Sequence, residues 1–152
     1  MSVWASVMLM LHGLRVEEVE HLEVGDITLK EKSGSVLIRC GKGGKQGKVL
    51  INLIGRKAIA AFLQVRADSI SNNLFSVSKR TLQRSVEELG KQISVPDLTC
   101  HWLRYTFAKR LQKEGWSLAE ICENTRHGSI AALERYLRSS AEDIQLMVES
   151  VM

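Results

Sequence analysis

Residues 99–115 read TCHWLRYTFAKRLQKEG, and this stretch has the pattern of a single long helix. We predict that the helix covers residues 99–114 and ends at Gly115, because glycine readily follows the last turn of a helix. His101 and Arg104 are three residues apart, so they lie on one face of the predicted helix. An H-x-x-R pair is a weak signal by itself, and the rest of the chain decides its meaning.

Helical patterns continue on both sides of this stretch. Ser117 and Glu120 form the pattern of a capping box at the start of the next helix. Ser129 and Ser140 are typical N-caps of two final helices. Upstream, the spacing of apolar residues predicts four helices, over residues 2–12, 16–22, 56–66 and 78–90. The last of these is expected to stop at Gly90.

The only β-rich part of the chain lies between the second and third upstream helices. Three short segments are rich in β-branched and apolar side chains, and glycine-containing turns separate them. The segments are residues 26–30, 35–40 and 48–53. The predicted fold class is α+β: a mostly helical single domain over residues 1–152, with a small three-stranded antiparallel sheet near the N-terminal third.

The composition is that of an ordinary globular protein. Of the 152 residues, 45% are hydrophobic and 25% are charged, and the formal net charge is +4. This basic excess permits a polyanionic partner without demanding one. The longest apolar run, residues 3–11, is too short to span a bilayer and lacks the features of a secretory signal. The three cysteines include no CxxC pair, which indicates a reducing compartment, so we expect a cytoplasmic protein without a membrane partner.

A metal centre is not expected. Two cysteines and two histidines could be combined into a zinc site, but their spacing fits no common zinc motif. They are Cys100, His101, Cys122 and His127. The chain also offers no cluster of carboxylates for Mg²⁺, which disfavours a two-metal nuclease. We expect neither a metal nor another cofactor.

Several residues extend the H-x-x-R pair into a larger constellation. His127 follows His101 by 26 residues, and Tyr136 follows His127 by nine. Far upstream, the segment GLRVEE places Arg15 at the junction of two predicted helices. Between these parts, residues 39–48 form a basic, glycine-rich turn.

These residues, their order and their spacing resemble the tyrosine recombinase (phage integrase) family. The family pattern begins with an arginine in a G-L-R-x-x-E-like segment, a lysine in a β-hairpin and an H-x-x-R helix. A second histidine or tryptophan follows, and a tyrosine comes about nine residues after it. Three further features match: Asp26-Ile27 at the start of the sheet, Pro96 before the H-x-x-R helix, and Thr106-Phe107-Ala108 within it. The resemblance covers essentially the whole chain.

The resemblance implies a catalytic set and a DNA-binding set. The catalytic residues are Arg15, Lys42, His101, Arg104, His127 and Tyr136. The DNA-binding residues are Arg39, Lys45, Lys48 and Arg126. The implied partner is double-stranded DNA that carries a specific recombination site, and the reaction needs neither ATP nor metal.

The resemblance also implies a transesterification mechanism. Tyr136 attacks a DNA phosphorus and forms a 3′-phosphotyrosine bond, which conserves the bond energy and releases a 5′-hydroxyl. Arg15 and Arg104 contact the non-bridging phosphate oxygens, because guanidinium forks match that geometry. His101 helps to remove the tyrosine proton, and Lys42 protonates the leaving oxygen. His127 hydrogen-bonds a phosphate oxygen or the scissile region; the alternative is a histidine that only caps a helix.

The chain departs from the family pattern in a few places. Tyr105 follows Arg104 where relatives usually carry histidine, and Arg126 precedes His127 where they usually carry glycine. Relatives also have an N-terminal helical domain that closes around DNA, whereas this chain begins at the catalytic domain. We therefore expect a fragment of a longer protein, whose own DNA affinity is weak and sensitive to salt.

The C-terminal residues 141–152 predict an amphipathic tail helix. Its apolar stripe consists of Ile144, Met147, Val148 and Val151. Two roles are open for this helix. It either docks on a neighbouring protomer of a homo-oligomer, a tetramer in the synapse, or packs on its own core.

Two other functions are open at this point. Residues 111–126 could form the helix-turn-helix of a non-catalytic DNA-binding module, which explains the basic charge but not Arg15 or the spacing to Tyr136. A type IB topoisomerase or a telomere resolvase would share the chemistry without exchanging DNA partners. The sequence also leaves open the outcome (integration, excision, inversion or dimer resolution) and whether the tyrosine acts in cis or in trans.

Overall fold

The computed structural model describes residues 2–39, 46–66, 71–138 and 148–149. In these ranges the helices are α1 (Ser2–Met10), α2 (Val16–Glu20), α3 (Leu53–Val65), α4 (Lys79–Gln92), α5 (Cys100–Lys113), α6 (Leu118–Thr125) and α7 (Ile130–Tyr136). The strands are β1 (Ile27–Leu29), β2 (Gly34–Ile38) and β3 (Gly47–Leu50), and a 3-10 turn, Val24–Asp26, precedes them. The predicted α+β class is confirmed. None of the described helices is long and apolar enough to cross a membrane.

The sheet has the strand order β1-β2-β3, and both neighbouring pairs are antiparallel, as predicted. Val36 in the central strand lies opposite Val49 of β3. Val36, Ile38 and Val49 are buried, whereas Leu37 is 39% exposed. This alternation is typical of a sheet with one face on the core. The turn between β2 and β3 includes residues 40–45, which lie outside the described part of the chain.

Polar side chains determine where the helices begin. Ser117 Oγ accepts the Glu120 N–H at 3.2 Å, and the Glu120 carboxylate accepts the Ser117 N–H at 2.8 Å, so the predicted capping box is confirmed. Ser129 caps α7 as predicted. Asn52 caps α3, which therefore begins earlier than predicted. The predicted cap at Ser140 lies outside the described residues.

The prediction that the fourth helix stops at Gly90 is wrong, because α4 continues to Gln92. Gly90 is buried. A Cβ built on it would lie 2.6 Å from the Val95 carbonyl oxygen and 2.7 Å from Leu98 Cβ. The glycine therefore allows the following loop to pack closely on the helix, and it does not end the helix.

Two hydrophobic clusters stabilise the domain. The larger one combines α1 to α4 with the sheet, and the smaller one lies between α5, α6 and α7. The helix α5 belongs to both, since Leu103 packs in the larger cluster and Ala108 in the smaller. The first turns of α5, which carry His101 and Arg104, therefore lie at the boundary between the clusters.

The end of α1 is fixed by a histidine and a glycine. His12 Nδ1 donates to the Met8 carbonyl oxygen at 2.6 Å, and its Nε2 accepts from the backbone N–H that precedes α3 at 3.2 Å. Gly13 has φ +90°, as suits the predicted helix end. A Cβ built on Gly13 would lie 2.7 Å from the Phe107 ring. The chain can turn toward Arg15 here because residue 13 has no side chain.

Gly13→Ala is expected to destabilise the domain more than Gly115→Ala, although both glycines have φ +90°. The left-handed backbone costs each alanine about 1–2 kcal/mol. At Gly115 no described atom lies within 4 Å of the new Cβ, whereas at Gly13 the Cβ meets Phe107. This overpacking adds about 1–3 kcal/mol at Gly13. Urea unfolding followed by circular dichroism measures both losses, and equal losses would show that the Phe107 ring moves aside without cost.

Candidate active site

A cleft of about 510 Å³ opens where the two hydrophobic clusters meet. Its walls are the turn after α1, the starts of α2, α4 and α5, the loop after α6, and the end of α7. Five predicted catalytic side chains line this cleft: Arg15, His101, Arg104, His127 and Tyr136. The sixth, Lys42, lies outside the described residues. Folding thus brings together side chains from both ends of the chain.

Arg15 is held by the helix that follows it. Its backbone N–H donates to Glu18 Oε2 at 2.7 Å, and its NH1 group donates to Glu18 Oε1 at 3.1 Å. Its NH2 group donates to the Arg126 carbonyl oxygen at 3.0 Å. The Arg15 side chain is 21% exposed, and it lines the cleft. Glu18 therefore orients Arg15.

Arg104 is buried on α5, with 5% of its surface exposed. Its NH2 group donates to the Thr125 carbonyl oxygen at 2.5 Å and lies 3.5 Å from His127 Nδ1. Within the described ranges its Nε and NH1 groups have no partner, so these donors are available to a ligand in the cleft. Burial, and after it the charge of Arg15, lowers the pKa of Arg104 to about 10. The guanidinium is still charged at neutral pH.

The site carries an excess of positive charge. Arg15 and Arg126 both pair with the carboxylate of Glu18. All three charges lie close enough to Arg104 to change its pKa. Burial favours the neutral form of Glu18, but the hydrogen bond and charge of Arg126, together with those of Arg15, outweigh it and lower its pKa. Three cations thus surround Glu18 in a partly desolvated site. The cleft wall also contains Glu17, which pairs with Lys79, and Glu87. Such a site suits an anionic ligand whose oxygens accept several hydrogen bonds.

His127 is oriented by the last residue of α6. Its Nδ1 lies 2.5 Å from the Thr125 hydroxyl. The Thr125 hydroxyl also donates to the Ile121 carbonyl oxygen at 2.8 Å, and Arg104 NH2 lies 3.5 Å from His127 Nδ1. These contacts hold the imidazole ring in place. Burial, followed by the charges of Arg104 and Arg15, lowers the pKa of His127 to about 4. The imidazole is therefore neutral at physiological pH.

Tyr136 is surrounded by three rings. Its ring centroid lies 5.2 Å from that of His101, 5.2 Å from that of Tyr105 and 5.1 Å from that of His127. The hydroxyl is buried and has no hydrogen-bond partner among the described residues. Burial raises the pKa of Tyr136 to about 12, against the opposing charges of the two cleft arginines. A buried hydroxyl without a partner is costly, and it is typical of a site that a ligand completes.

The helix α7 is fixed to the smaller cluster of its own chain. Leu133 and Leu137 on this helix are buried there. Lys109 on α5 donates from Nζ to the Leu137 carbonyl oxygen at 3.0 Å, and the same Nζ lies 5.9 Å from the centre of the Tyr105 ring. Contacts on the inner face and at the C-terminal end of α7 thus set the position of Tyr136.

Both predicted DNA-binding arginines have partners inside the protein. Arg39 pairs with Asp26 at 2.5 Å and with Glu23 at 3.1 Å, and 48% of its side chain is exposed. It therefore anchors the end of β2. Arg126 pairs with Glu18 at 2.6 Å, and only 13% of its side chain is exposed. Its guanidinium is largely withdrawn from solvent.

The predicted DNA-binding lysines lie in or next to the turn before β3. Lys48 is exposed on β3 and lines a second cleft, of about 1040 Å³. This cleft adjoins the first, because Arg15 and His127 line both. Within the described part of the chain Lys48 has no hydrogen bond or ion pair, so its charge is available. Lys45 lies outside the described residues.

Several residues at the site were not predicted from the sequence. Thr125 is buried and orients His127 through its hydroxyl and Arg104 through its carbonyl oxygen. Lys79 and Gln83 at the start of α4 line the catalytic cleft. No spacing rule connects these positions to the H-x-x-R helix, and only the tertiary fold brings them to it.

The cysteines and histidines of the zinc alternative are not grouped as a set of metal ligands in the described part of the chain. In the described ranges, no group of three or more His, Cys, Asp or Glu side chains could hold a metal ion. Cys100 is buried, and burial raises the pKa of its thiol to about 11. Cys122 is half-buried, and its Sγ donates to the His127 carbonyl oxygen at 3.3 Å.

A cleft that joins two arginines, two histidines and a tyrosine with a buried hydroxyl is suited to holding a tetrahedral oxyanion and attacking it. The chain belongs to the phage integrase family, whose family model matches residues 3–143. The resemblance inferred from the sequence is confirmed. A non-catalytic helix-turn-helix module, by contrast, gives no reason for these five side chains to meet.

Curated relatives of the chain are tyrosine recombinases. It is 29% identical to tyrosine recombinase XerA of Pyrococcus furiosus, over 94% of this chain and 52% of the relative. It is 30% identical to tyrosine recombinase XerC of Pelobacter propionicus, over 86% of this chain and 45% of the relative. The chain thus spans about half the length of the curated relatives it matches.

Solved structures show the same fold. The crystal structure of XerA recombinase matches 96% of this chain and 56% of its own, with a TM-score of 0.85 and 27% identity. The XerH site-specific recombinase bound to its difH substrate, a pre-cleavage complex, matches 95% of this chain and 45% of its own. Its TM-score is 0.76 at 20% identity, a likeness that concerns the fold.

His127→Gln is expected to reduce the loss of stability at acid pH. The pKa of His127 is about 4 in the folded protein, below the ordinary value of 6.5. Between these values the unfolded chain binds a proton that the folded chain excludes. The stabilisation is therefore complete above about pH 6.5 and is lost as the pH falls toward about 4. Thermal unfolding across this window should show a smaller decrease of Tm in the variant.

The control for this prediction is His21→Gln, because the His21 side chain is 74% exposed. Its Tm should fall with pH in parallel with that of the wild type. If both variants flatten the curve equally, the half-buried imidazole of His127 is not the group responsible.

Proposed function

We propose that this chain is the catalytic domain of a site-specific DNA recombinase or integrase, which cleaves and rejoins DNA through a 3′-phosphotyrosine intermediate. The observation that carries the proposal is the buried Tyr136 hydroxyl, unpartnered among the described residues, beside a cleft lined by Arg15 and Arg104. Membership of the phage integrase family and the names of the relatives support it. The proposed substrate is double-stranded DNA with a specific recombination site.

In the cleavage step, the Tyr136 oxygen forms a bond to the phosphorus of a DNA phosphodiester. The bond between that phosphorus and the 5′-oxygen breaks. The tyrosine proton leaves as the new bond forms, and the departing 5′-oxygen takes up a proton. Attack by a 5′-hydroxyl on the phosphotyrosine reverses these changes, so the strands rejoin without ATP.

Arg15 and Arg104 are assigned to the non-bridging phosphate oxygens. Each guanidinium keeps N–H donors that have no partner within the described ranges. Negative charge on the phosphate oxygens grows toward the pentacoordinate transition state, so fixed donors stabilise that state more than the ground state. His127, which is neutral, is assigned to hydrogen-bond a phosphate oxygen or the scissile region.

Two residues are assigned to proton transfer. His101 meets the Tyr136 ring edge-on, at a centroid distance of 5.2 Å, and is assigned to accept the tyrosine proton. Lys42, which the family resemblance implies, is assigned to protonate the leaving 5′-oxygen. The raised pKa of Tyr136 supports a base-assisted attack, because the free protein holds no phenolate at neutral pH.

DNA binding and assembly follow from the same proposal. Lys48, together with Lys45, is assigned to DNA phosphates. Arg39, whose side chain is partly exposed, lies a few residues before these lysines in the sequence. The protein is proposed to act in the cytoplasm as a homo-oligomer on DNA, a tetramer when two sites are joined. Among structural neighbours, XerH is bound to difH substrate and a lambda integrase dimer is bound to a core site. Because α7 packs on its own chain, Tyr136 is proposed to act in cis.

Covalent capture of DNA tests the proposed function. The probe is a pool of nicked suicide duplexes with randomised sequence, and adducts are the complexes that survive SDS. Wild-type protein should form an adduct, and sequencing of the attached DNA identifies the site. Tyr136→Phe should bind DNA but form no adduct, because the ring is kept and the nucleophile is lost. Arg104→Lys should slow adduct formation on the order of 100-fold, because lysine lacks the guanidinium fork.

Tyr105→Phe is the matched control, because the chain has two tyrosines and Tyr105 packs against the ring of the other. This variant should keep the adduct. An adduct that persists in Tyr136→Phe would place the nucleophile elsewhere. DNA binding by the wild type without any adduct would favour the non-catalytic DNA-binding module.

Truncation after Ser140 tests the role of the tail, residues 141–152. The shortened chain is expected to keep its thermal unfolding midpoint, because it retains every described residue of both hydrophobic clusters. On DNA it should form complexes with one subunit per site that do not assemble further, as measured by sedimentation velocity. If the shortened chain unfolds instead, the tail packs on its own core and the docking role is wrong.

A further inference from the structure

Arg126 has a left-handed backbone conformation, which is unfavourable for a residue with a side chain. It is the C-cap of α6, with φ 59° and ψ 35°. A residue with a Cβ is strained in this left-handed region, whereas glycine adopts it freely. The side chain of Arg126 must therefore form contacts that offset the strain.

The guanidinium of Arg126 forms a network inside the protein. Its Nε donates to Glu18 Oε1 at 3.1 Å and its NH2 to Glu18 Oε2 at 2.6 Å, which makes a two-pronged pair. NH2 also donates to the Gly13 carbonyl oxygen, and NH1 to the Asn124 carbonyl oxygen, both at 3.0 Å. The side chains of Arg126 and Glu18 are 13% and 3% exposed. A guanidinium with these bonds is not free to contact a DNA phosphate.

The aliphatic stem of Arg126 contacts the sheet. A Cβ built on Gly47 would lie 2.7 Å from Arg126 Cδ, so the stem lies directly on the backbone at the start of β3. The absence of a side chain at Gly47 creates the space for it. Gly47 directly follows, in the sequence, the turn that carries Lys42 and Lys45.

We propose that Arg126 is a positioning residue that holds three parts of the active site together. These parts are the turn with Arg15, the loop with His127, and the strand that follows the lysine turn. The Arg126 carbonyl oxygen accepts from Arg15 NH2 at 3.0 Å, while its side chain binds the Glu18 carboxylate that orients Arg15. The proposal rests on the proposed function of the site, and it replaces the expected DNA contact of Arg126 with an internal role.

Arg126→Gly removes the side chain and suits the left-handed backbone, so the variant is expected to fold. At saturating DNA, adduct formation should slow on the order of 10- to 100-fold, because Arg15 is no longer held in place. The salt dependence of DNA affinity should not change, since no phosphate contact is lost. Arg126→Lys should be slowed in the same way, because lysine keeps the charge without the fork.

Lys48→Gln provides the contrasting reference for a lost phosphate contact. In this variant the slope of log affinity against log salt concentration should decrease by about 0.9. If Arg126→Gly instead lowers the slope by this amount and keeps its rate at saturating DNA, Arg126 contacts DNA and the proposal is overturned. A variant that keeps both the slope and the rate overturns it as well.

Gly47→Ala tests the contact with the sheet independently. The new Cβ meets the stem of Arg126, and adduct formation should slow by about tenfold. In the Arg126→Gly background the same substitution should have no effect, because the two changes act through one contact. Equal effects in both backgrounds would show that Gly47 acts without Arg126.

A measurement on the protein without DNA distinguishes a failure of this proposal from a failure of the proposed function. The Arg15 NH1 and NH2 groups donate to Glu18 and to the Arg126 carbonyl oxygen. Exchange of their protons with solvent, measured by NMR, should be slow in the wild type and faster in Arg126→Gly. If the wild type forms no adduct with any DNA, the proposed function fails, and the exchange rate still decides whether Arg126 positions Arg15. Equal exchange rates in the two proteins would overturn the positioning role.

Discussion

The buried carboxylate of Glu18 is the group on which the rest of the site depends. Only 3% of its side chain is exposed, and so desolvated a charge is tolerated only with well-placed partners. Arg15 approaches it from the same turn, and Arg126 approaches it from 108 residues further along the chain. This pairing connects the N-terminal part of the domain to the loop between α6 and α7. It therefore fixes the relative positions of the arginine and the histidine that face each other across the cleft.

The same arrangement places energetically unfavourable groups at the site. Burial and the charge of Arg15 lower the pKa of Arg104 to about 10, so the protein holds a cation where its charge is disfavoured. The hydroxyl of Tyr136 is buried without a partner among the described residues. An anion in the cleft offsets the excess charge and offers hydrogen-bond partners at once. Binding of such an anion stabilises the folded state, and the domain gives up local stability to keep the site ready.

Features that depend on near neighbours in the chain could be predicted from the sequence. The capping box at Ser117, the helix that carries the H-x-x-R pair and the three strands all follow from local chemistry. The predicted catalytic side chains in the described ranges also meet in one cleft. The predictions that were wrong depend on tertiary contacts. Gly90 has the local chemistry of a helix end, but it lies inside the longer helix α4, where Leu98 of the following loop packs against it. The pairing of Arg126 with Glu18 is equally invisible, since no spacing rule reaches across such a separation.

The raised pKa of Tyr136, about 12, has a consequence for when the chemistry occurs. A permanent phenolate in this cleft would pair with Arg15 and Arg104 and occupy the donors that a phosphate needs. A neutral tyrosine leaves both guanidinium groups free, so the anion enters first. The anion then cancels part of the positive field, which by itself makes ionisation of the tyrosine harder. Loss of the proton must therefore accompany bond formation to phosphorus, with a base close by. Burial of the Tyr136 hydroxyl thus fits the proposed reaction, in which DNA binding comes before cleavage.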